Sequence, residues 1–397
     1  MKFVIIGSGI VGLSIAETLV KRDIVSADDL LILDKHAIPS NGTSTHNSGV
    51  LHAGLYYKPG SLKAKLSIDG GNKLKEWCKE NNLPILNCGK LLVPFDKKDL
   101  VRLGDIYENA TKNGCEVKKV DYSEALKIQP GLTKQEQYLW SPKTAVFSPH
   151  LIMHRLFELL KEKGVKFIKK GVVLDDESQK RLLLDDNTYI KYSKYINCAG
   201  PGSLEITKSI SNKFDHLAIL PFLGEYGVQK SGLEIKTNLY PVPNPELPFL
   251  GIHLTPRINN STLIGPNAVP VFRKDVQGFD LKEIKNFPSI VVNNLVLFTS
   301  NLQNYREHAF SEFTLNVRRK FYKNSIKYLS EGAEKDFRIK MDKTTYGIRP
   351  QLIEKNSFKF VNDFLYEKIN ENIHIVNAVS PAFTSCFALS EYLVDQL

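Results

Sequence analysis

Cysteine, methionine and tryptophan are scarce in this chain: five, three and two among 397 residues. The cysteines are Cys78, Cys88, Cys115, Cys198 and Cys386. No two of them form a C-x-x-C pair, and their number is odd. That excludes a disulfide framework and a cysteine-rich zinc site, and it points to a reducing compartment. No metal is expected. No apolar run approaches the ~18 residues that a membrane-spanning helix needs. No leader precedes MKFVIIG, which runs straight into a strand. A cytoplasmic protein is therefore expected, with peripheral contact at the inner face of a membrane left open. Arginine-rich blocks are missing too. The net charge of +10 is carried by scattered lysines, which read as a solvated surface and not as a nucleic-acid face. Internal repeats and low-complexity tracts are absent.

What remains is the composition of a large folded protein. Hydrophobic residues make up 42% and charged ones 24%. That allows a sizeable core and excludes general disorder. The first apolar run, KFVII at 2–6, suits a buried parallel strand. GSGIVG follows at once, then a helix-like VGLSIAETLVKR and a second buried strand in LLILDK. In such a unit Gly7 permits the tight turn, Gly9 lets the backbone approach a pyrophosphate, and Gly12 lets helix and strand pack closely. Ser8, Ile10 and Val11 complete the loop, whose free N–H groups meet phosphate charge at the helix N-terminus. Asp34, followed by Lys35, ends the second strand, where a carboxylate would hold a ribose hydroxyl.

Two later segments point to the same cofactor. YINCAGPGS ends a strand in small residues, so Ala199 and Gly200 let the backbone approach the cofactor again. Val172, in GVVLDD, is assigned to the same surface. Near the C-terminus, NAVSPAFTSC puts Ser380, Pro381, Ala382 and Thr384 at the expected start of a helix. The positive potential there suits a flavin that becomes anionic on reduction. NAD and FAD share the first motif. The wide separation of these segments fits the longer cofactor, FAD.

The expected fold is α/β, α+β overall. A Rossmann-like FAD-binding domain (1–85, 148–211 and 341–397) is interleaved with a mixed β-sheet substrate domain (86–147 and 212–340).

GSGIVG, HNSGVLHAGLYYKPGSLKAKL, GKLLVP, INCAG, PFLGEY, YPVPNPELPFLGIHLT, GPNAV, YGIRPQL and SPAFTS occur in this order. Together they resemble the L-2-hydroxyglutarate dehydrogenase/oxidase family, one of the D-amino-acid-oxidase-like FAD oxidoreductases. The resemblance runs nearly end to end and is weakest at about 97–145 and 272–340. The chain departs from the family pattern at Ser44-Thr45, at Phe147 to His150, and at Phe383 and Cys386.

The resemblance implies non-covalent FAD and oxidation of L-2-hydroxyglutarate to 2-oxoglutarate, with hydride passing from C2 to flavin N5. Thr45, His46, Asn47, Ser48 and Gly49 would contact the cofactor. An imidazole titrates near working pH and suits a general base. His52 is taken as the base and His46 as the flavin contact, with the reverse order open. Arg349 in GIRPQ would grip a carboxylate through a two-pronged hydrogen bond and would also meet the flavin. Tyr56, Tyr57, Lys58 and Arg257 are candidate substrate contacts, whereas Tyr240 is assigned to the second domain's core. Another L-2-hydroxy acid, or glycine or sarcosine, is the alternative substrate, and a flavin-binding protein without turnover a further reading. The expected partner is a small 2-hydroxy dicarboxylate. The electron acceptor, a quinone or oxygen, leaves no motif.

Overall fold

The computed structural model describes residues 2–244, 250–271 and 318–397. KFVII forms the strand Lys2–Ile6, buried at every position after the first. A strand apolar on both faces belongs inside a parallel sheet covered on both sides. It pairs in parallel with Leu30–Asp34 on one side and Tyr189–Asn197 on the other. Lys166–Lys169 extends the sheet beyond Leu30–Asp34, and Asn372–Asn377 joins the end of Tyr189–Asn197, both in parallel. The beginning, middle and end of the chain thus meet in one sheet.

Helices Ile10–Lys21, Leu62–Glu80, Pro149–Glu162 and Cys386–Val394 bury their apolar faces in one core with this sheet. Their starts follow local chemistry. The Ser61 hydroxyl accepts from Ala64 N, and the Ser148 hydroxyl accepts from Leu151 N with Pro149 in the first turn. On the opposite face Leu182, Leu184, Tyr192 and Tyr195 pack against Val4, Ile6, Leu31 and Leu33.

The second sheet is mixed, as expected. Its frame is the long antiparallel pair Leu217–Ser231 with Arg338–Glu354. Thr262–Gly265, His253–Pro256, Asn238–Pro241, Lys90–Val93 and Tyr138–Ser141 follow in order from Leu217–Ser231. Lys90–Val93 lies parallel to Asn238–Pro241. The expected boundary at 341 falls inside Arg338–Glu354, which stays paired in the second sheet to its end. A small third sheet joins Val50–Leu51, Ala145–Phe147 and Ile85–Leu86, so it straddles the expected boundaries near 85 and 147. Residues 245–249, within YPVPNPELPFLGIHLT, and residues 272–317 lie outside the described residues.

Candidate active site

One cavity of about 1430 Å³ runs between the two sheets. At one end is the glycine loop. Gly7 has φ +109°, and a Cβ there or on Gly12 would collide with backbone, of Cys198 in one case and of Gly7 in the other. The loop can therefore bring its N–H groups to the cavity wall only with glycine at these positions. Gly7, Gly9, Ile10, Val11, Asp34 and Lys35 line this end, joined by Val172, Ala199 and Gly200 from the neighbouring strands.

Ser8 and Gly12 lie behind the wall. Ser8 donates to Asp34 Oδ2 through both its N–H (2.8 Å) and its hydroxyl (2.9 Å), and His36 N donates to Oδ1 (3.0 Å). Asp34 thus braces the loop as well as facing the cavity. Ser44 was not among the expected contacts. Its hydroxyl accepts from Ile10 N at 3.0 Å, at the helix N-terminus where a pyrophosphate is expected.

Residues 42–52 form the cavity's long wall. His46, Asn47 and Ser48 line it. His46 Nδ1 lies 3.1 Å from Gly42 O, and Asn47 braces the turn through Ser44 O and Gly49 N. Thr45 and Gly49 do not reach the cavity. The Thr45 hydroxyl is taken up by Asn41 and Gly42, and the Gly49 carbonyl by Phe147 N.

Pro381, Ala382 and Thr384 also line the cavity, but the C-terminal helix begins only at Cys386. Residues 380–385 form turns instead, with Ser385 N bonded to Pro381 O. The Thr384 hydroxyl accepts from His52 N at 3.1 Å, so this segment fixes the backbone beside the candidate base.

The far end gathers the expected chemistry. His52, Tyr56, Tyr57, Lys58 and Arg349 all line it, with Lys58 at its exposed rim. Arg349 sits opposite Phe222 in the long strand pair, and its Nη2 lies 3.4 Å from Asn267 O. A Cβ on Gly224 would stand 2.5 Å from Nη2, so that glycine makes room for the guanidinium. Arg257 does not line the cavity. It closes the turn between His253–Pro256 and Thr262–Gly265, and its charge bears on His150.

His52 Nδ1 and the Tyr56 hydroxyl are enclosed and have no hydrogen-bond partner among the described residues. Burial lowers the His52 pKa well below its ordinary value, and the nearby Lys90 lowers it further. The imidazole is therefore neutral at working pH, able to accept a proton.

Four residues outside the expected contact set shape this end. His253 stacks on Tyr240 at 3.9 Å, and burial takes its pKa down to about 3. Tyr240 is buried in the second core, as expected, yet it also lines the cavity. Lys63, on the first turn of Leu62–Glu80, lines the cavity, with its pKa lowered by burial to about 8. Lys90 is 1% exposed, its pKa lowered by burial to about 7. A lone cation inside the apolar GKLLVP was the sequence signal for it.

The residues fit FAD. One uninterrupted cavity contains both the glycine cradle and the His52–Arg349 end, as a long cofactor with a reactive ring requires. The cradle and this single cavity define a flavin-dependent oxidoreductase of the two-sheet type. The chain belongs to the FAD dependent oxidoreductase (DAO) family, whose profile matches residues 2–396. FAD is its cofactor.

Among its relatives, the human mitochondrial L-2-hydroxyglutarate dehydrogenase is 30% identical over 99% of this chain and 88% of that protein. L-2-hydroxyglutarate dehydrogenase of Escherichia coli K12 is 28% identical over 100% of this chain and 92% of that one. Among solved structures, FAD-bound L-α-glycerophosphate oxidase from Mycoplasma pneumoniae superposes with a TM-score of 0.70 at 19% identity. It covers 99% of this chain and 93% of its own. Glycine oxidase from Geobacillus kaustophilus gives 0.71 at 15%, with 99% and 93% covered. At these identities the structures share the fold alone. Among the described residues no helix is long and apolar enough to cross a membrane, and no group of side chains could hold a metal ion.

Proposed function

We propose that this protein oxidises L-2-hydroxyglutarate to 2-oxoglutarate. The observation that carries the reading is the shared cavity wall on which His52 and Arg349 stand beyond the glycine cradle. The names of the full-length relatives support the substrate.

The Arg349 guanidinium holds the C1 carboxylate and so fixes which face of C2 is presented. The imidazole of His52 takes the proton of the C2 hydroxyl. Its lowered pKa keeps it free of a proton before the substrate arrives. An anionic substrate then offsets the repulsion from the nearby lysines and strengthens the base at the moment it is used. The aromatic wall of Tyr56, Tyr226 and Tyr240 excludes water. Bound FAD supplies what no side chain provides, an acceptor for the C2 hydrogen and its electron pair.

The cofactor is held without a covalent bond in this reading, since no cysteine lies in the 44–52 wall. Flavin that stayed in the pellet after acid precipitation would contradict that. A glycine-type substrate would use Arg349 but leave Lys90, which has no carboxylate within ion-pairing distance among the described residues, without a counter-charge. The reading is tested by turnover with L-2-hydroxyglutarate and an artificial electron-accepting dye, with the product identified by mass spectrometry. Formation of 2-oxoglutarate is expected. Oxidation of glycine or sarcosine with none of the 2-hydroxy acid would overturn it.

A further inference from the structure

Lys90 is the least expected side chain of the second core. It stands on an internal strand of the mixed sheet, 1% exposed. No carboxylate lies within ion-pairing distance among the described residues; its ammonium stands over two aromatic rings, with the Cys88 thiol near enough to bear on it. Nζ is 4.2 Å from the Tyr240 ring centre and 5.2 Å from that of Tyr56. A buried lysine without a counter-charge is destabilising, and hydrophobic residues of similar volume replace such groups without loss. A requirement other than stability therefore has to account for it.

The surroundings point to what that requirement is. The hydroxyl of Tyr56, whose ring Lys90 approaches, is enclosed and unpartnered among the described residues, and so is Nδ1 of His52. Lys63 lines the cavity and stands over the Tyr57 ring at 5.8 Å. Both lysines lie near enough to His52 for their charge to bear on it, whereas Arg349 bears on His253. His253 feels the charge of both Lys90 and Arg349. The positive groups keep different company: Lys63 and Lys90 stand over the rings of Tyr57, Tyr56 and Tyr240, whereas Arg349 lies against Asn267 O and Gly224.

We propose that Lys63, Lys90 and the Tyr56 hydroxyl form the subsite for the second carboxylate of the substrate. Lys63 meets it at the cavity wall. Lys90, against the tyrosine rings, is a positioning residue whose protonated form an arriving carboxylate favours. The inference rests on the proposed function and refines it. The subsite would select a dicarboxylic 2-hydroxy acid over a monocarboxylic one of similar size, using residues outside the reacting pair.

The test uses the FAD-loaded protein and two ligands that it cannot oxidise at C2, glutarate and butyrate. Their affinities are read by titration calorimetry and by perturbation of the flavin absorption band. Wild type is expected to prefer glutarate. A charge-assisted hydrogen bond corresponds to roughly 10- to 100-fold in affinity, and Lys63→Met and Lys90→Met should each remove a preference of about that size. Lys90→Met should also melt no lower than wild type, a result that a purely structural lysine would not give. If wild type prefers glutarate and both variants keep the preference, the subsite is overturned while the proposed function stands. If wild type shows no preference, both are overturned. Should Lys90→Met fail to fold, Lys63→Met decides the matter alone.

Discussion

Two buried polar clusters among the described residues differ in how their groups are partnered. The first lies under the parallel sheet. The Tyr192 and Tyr195 hydroxyls each donate to Asp175 at 2.8 Å, and Tyr195 also meets Nε2 of His374 at 3.1 Å. Nδ1 of His374 lies 3.2 Å from the Thr207 hydroxyl. Burial raises the Asp175 pKa and takes His374 down to about 4. Every group in this set is used. The second cluster, at the far end of the cavity, is different. Among the described residues, His52 Nδ1 and the Tyr56 hydroxyl lack partners, and Lys90 has aromatic rings but no carboxylate beside it. Buried polar groups are normally satisfied within the fold, and each exception calls for a reason. The contrast separates a structural network from a set of groups whose partner is a ligand.

Substitutions in the second cluster should therefore change chemistry and spare stability, while those in the first should do the opposite. The largest effect is expected for His52→Ala. Flavin reduction should slow by roughly 100-fold, the usual worth of a positioned base, as read by stopped flow without oxygen. In wild type that rate should fall only on the acid side, below the ordinary histidine value of 6.5, because burial lowers the His52 pKa. A His46→Ala variant should instead alter the flavin spectrum. If His46→Ala loses reduction while His52→Ala keeps it, the two roles are reversed.

Arg349→Lys comes next. A point charge replaces a planar fork, so KM for L-2-hydroxyglutarate should rise by about tenfold or more with flavin content unchanged. An unaltered KM would remove Arg349 from the pocket.

In the first cluster, Tyr195→Phe deletes a hydroxyl shared by Asp175 and His374. It should cost about 1–3 kcal/mol in urea unfolding and leave the reduction rate of the folded enzyme unchanged. A stable but slow variant would erase the distinction between the clusters.

A further prediction is a pH trend. The folded-state pKa of Lys90 is about 7 against an ordinary 10.5. Between these values the unfolded chain holds a proton that the folded chain has released, so folding gains stability as pH rises. Below about 7 both states are protonated and the burial penalty is fully present. Wild type should therefore become more stable relative to Lys90→Met as pH is raised from 7 towards 10. A difference that does not change with pH would mean that Lys90 is not desolvated.

The cofactor half of the protein was legible in the sequence because its signals are local. KFVII, GSGIVG and LLILDK each announce their own conformation. The Gly7, Gly9 and Gly12 spacing dictates a turn whatever surrounds it. The substrate end is assembled from distant strands, and there the reading was less complete. Arg349 and His52 were nominated through the family resemblance, and both line the cavity. Lys58 and Arg257 were the candidate cations beside Arg349, and neither Lys63 nor Lys90 was among them; Arg257 closes a turn away from the cavity. Nothing in single-sequence periodicity tells which lysine of SLKAKL or GKLLVP turns inward, because that depends on the pairing of Lys90–Val93 with Asn238–Pro241. The helix expected at Pro381 starts at Cys386 because Ser385 N closes a separate turn on Pro381 O.

The measurement that bears most directly on the whole account is anaerobic mixing of the FAD-loaded wild-type protein with L-2-hydroxyglutarate, its D-enantiomer, L-lactate, glycine and sarcosine. Loss of the oxidised flavin band is followed in each case. Rapid bleaching by L-2-hydroxyglutarate, with the other four slow or inert, is the predicted result. Bleaching by glycine or sarcosine with none by L-2-hydroxyglutarate would contradict it.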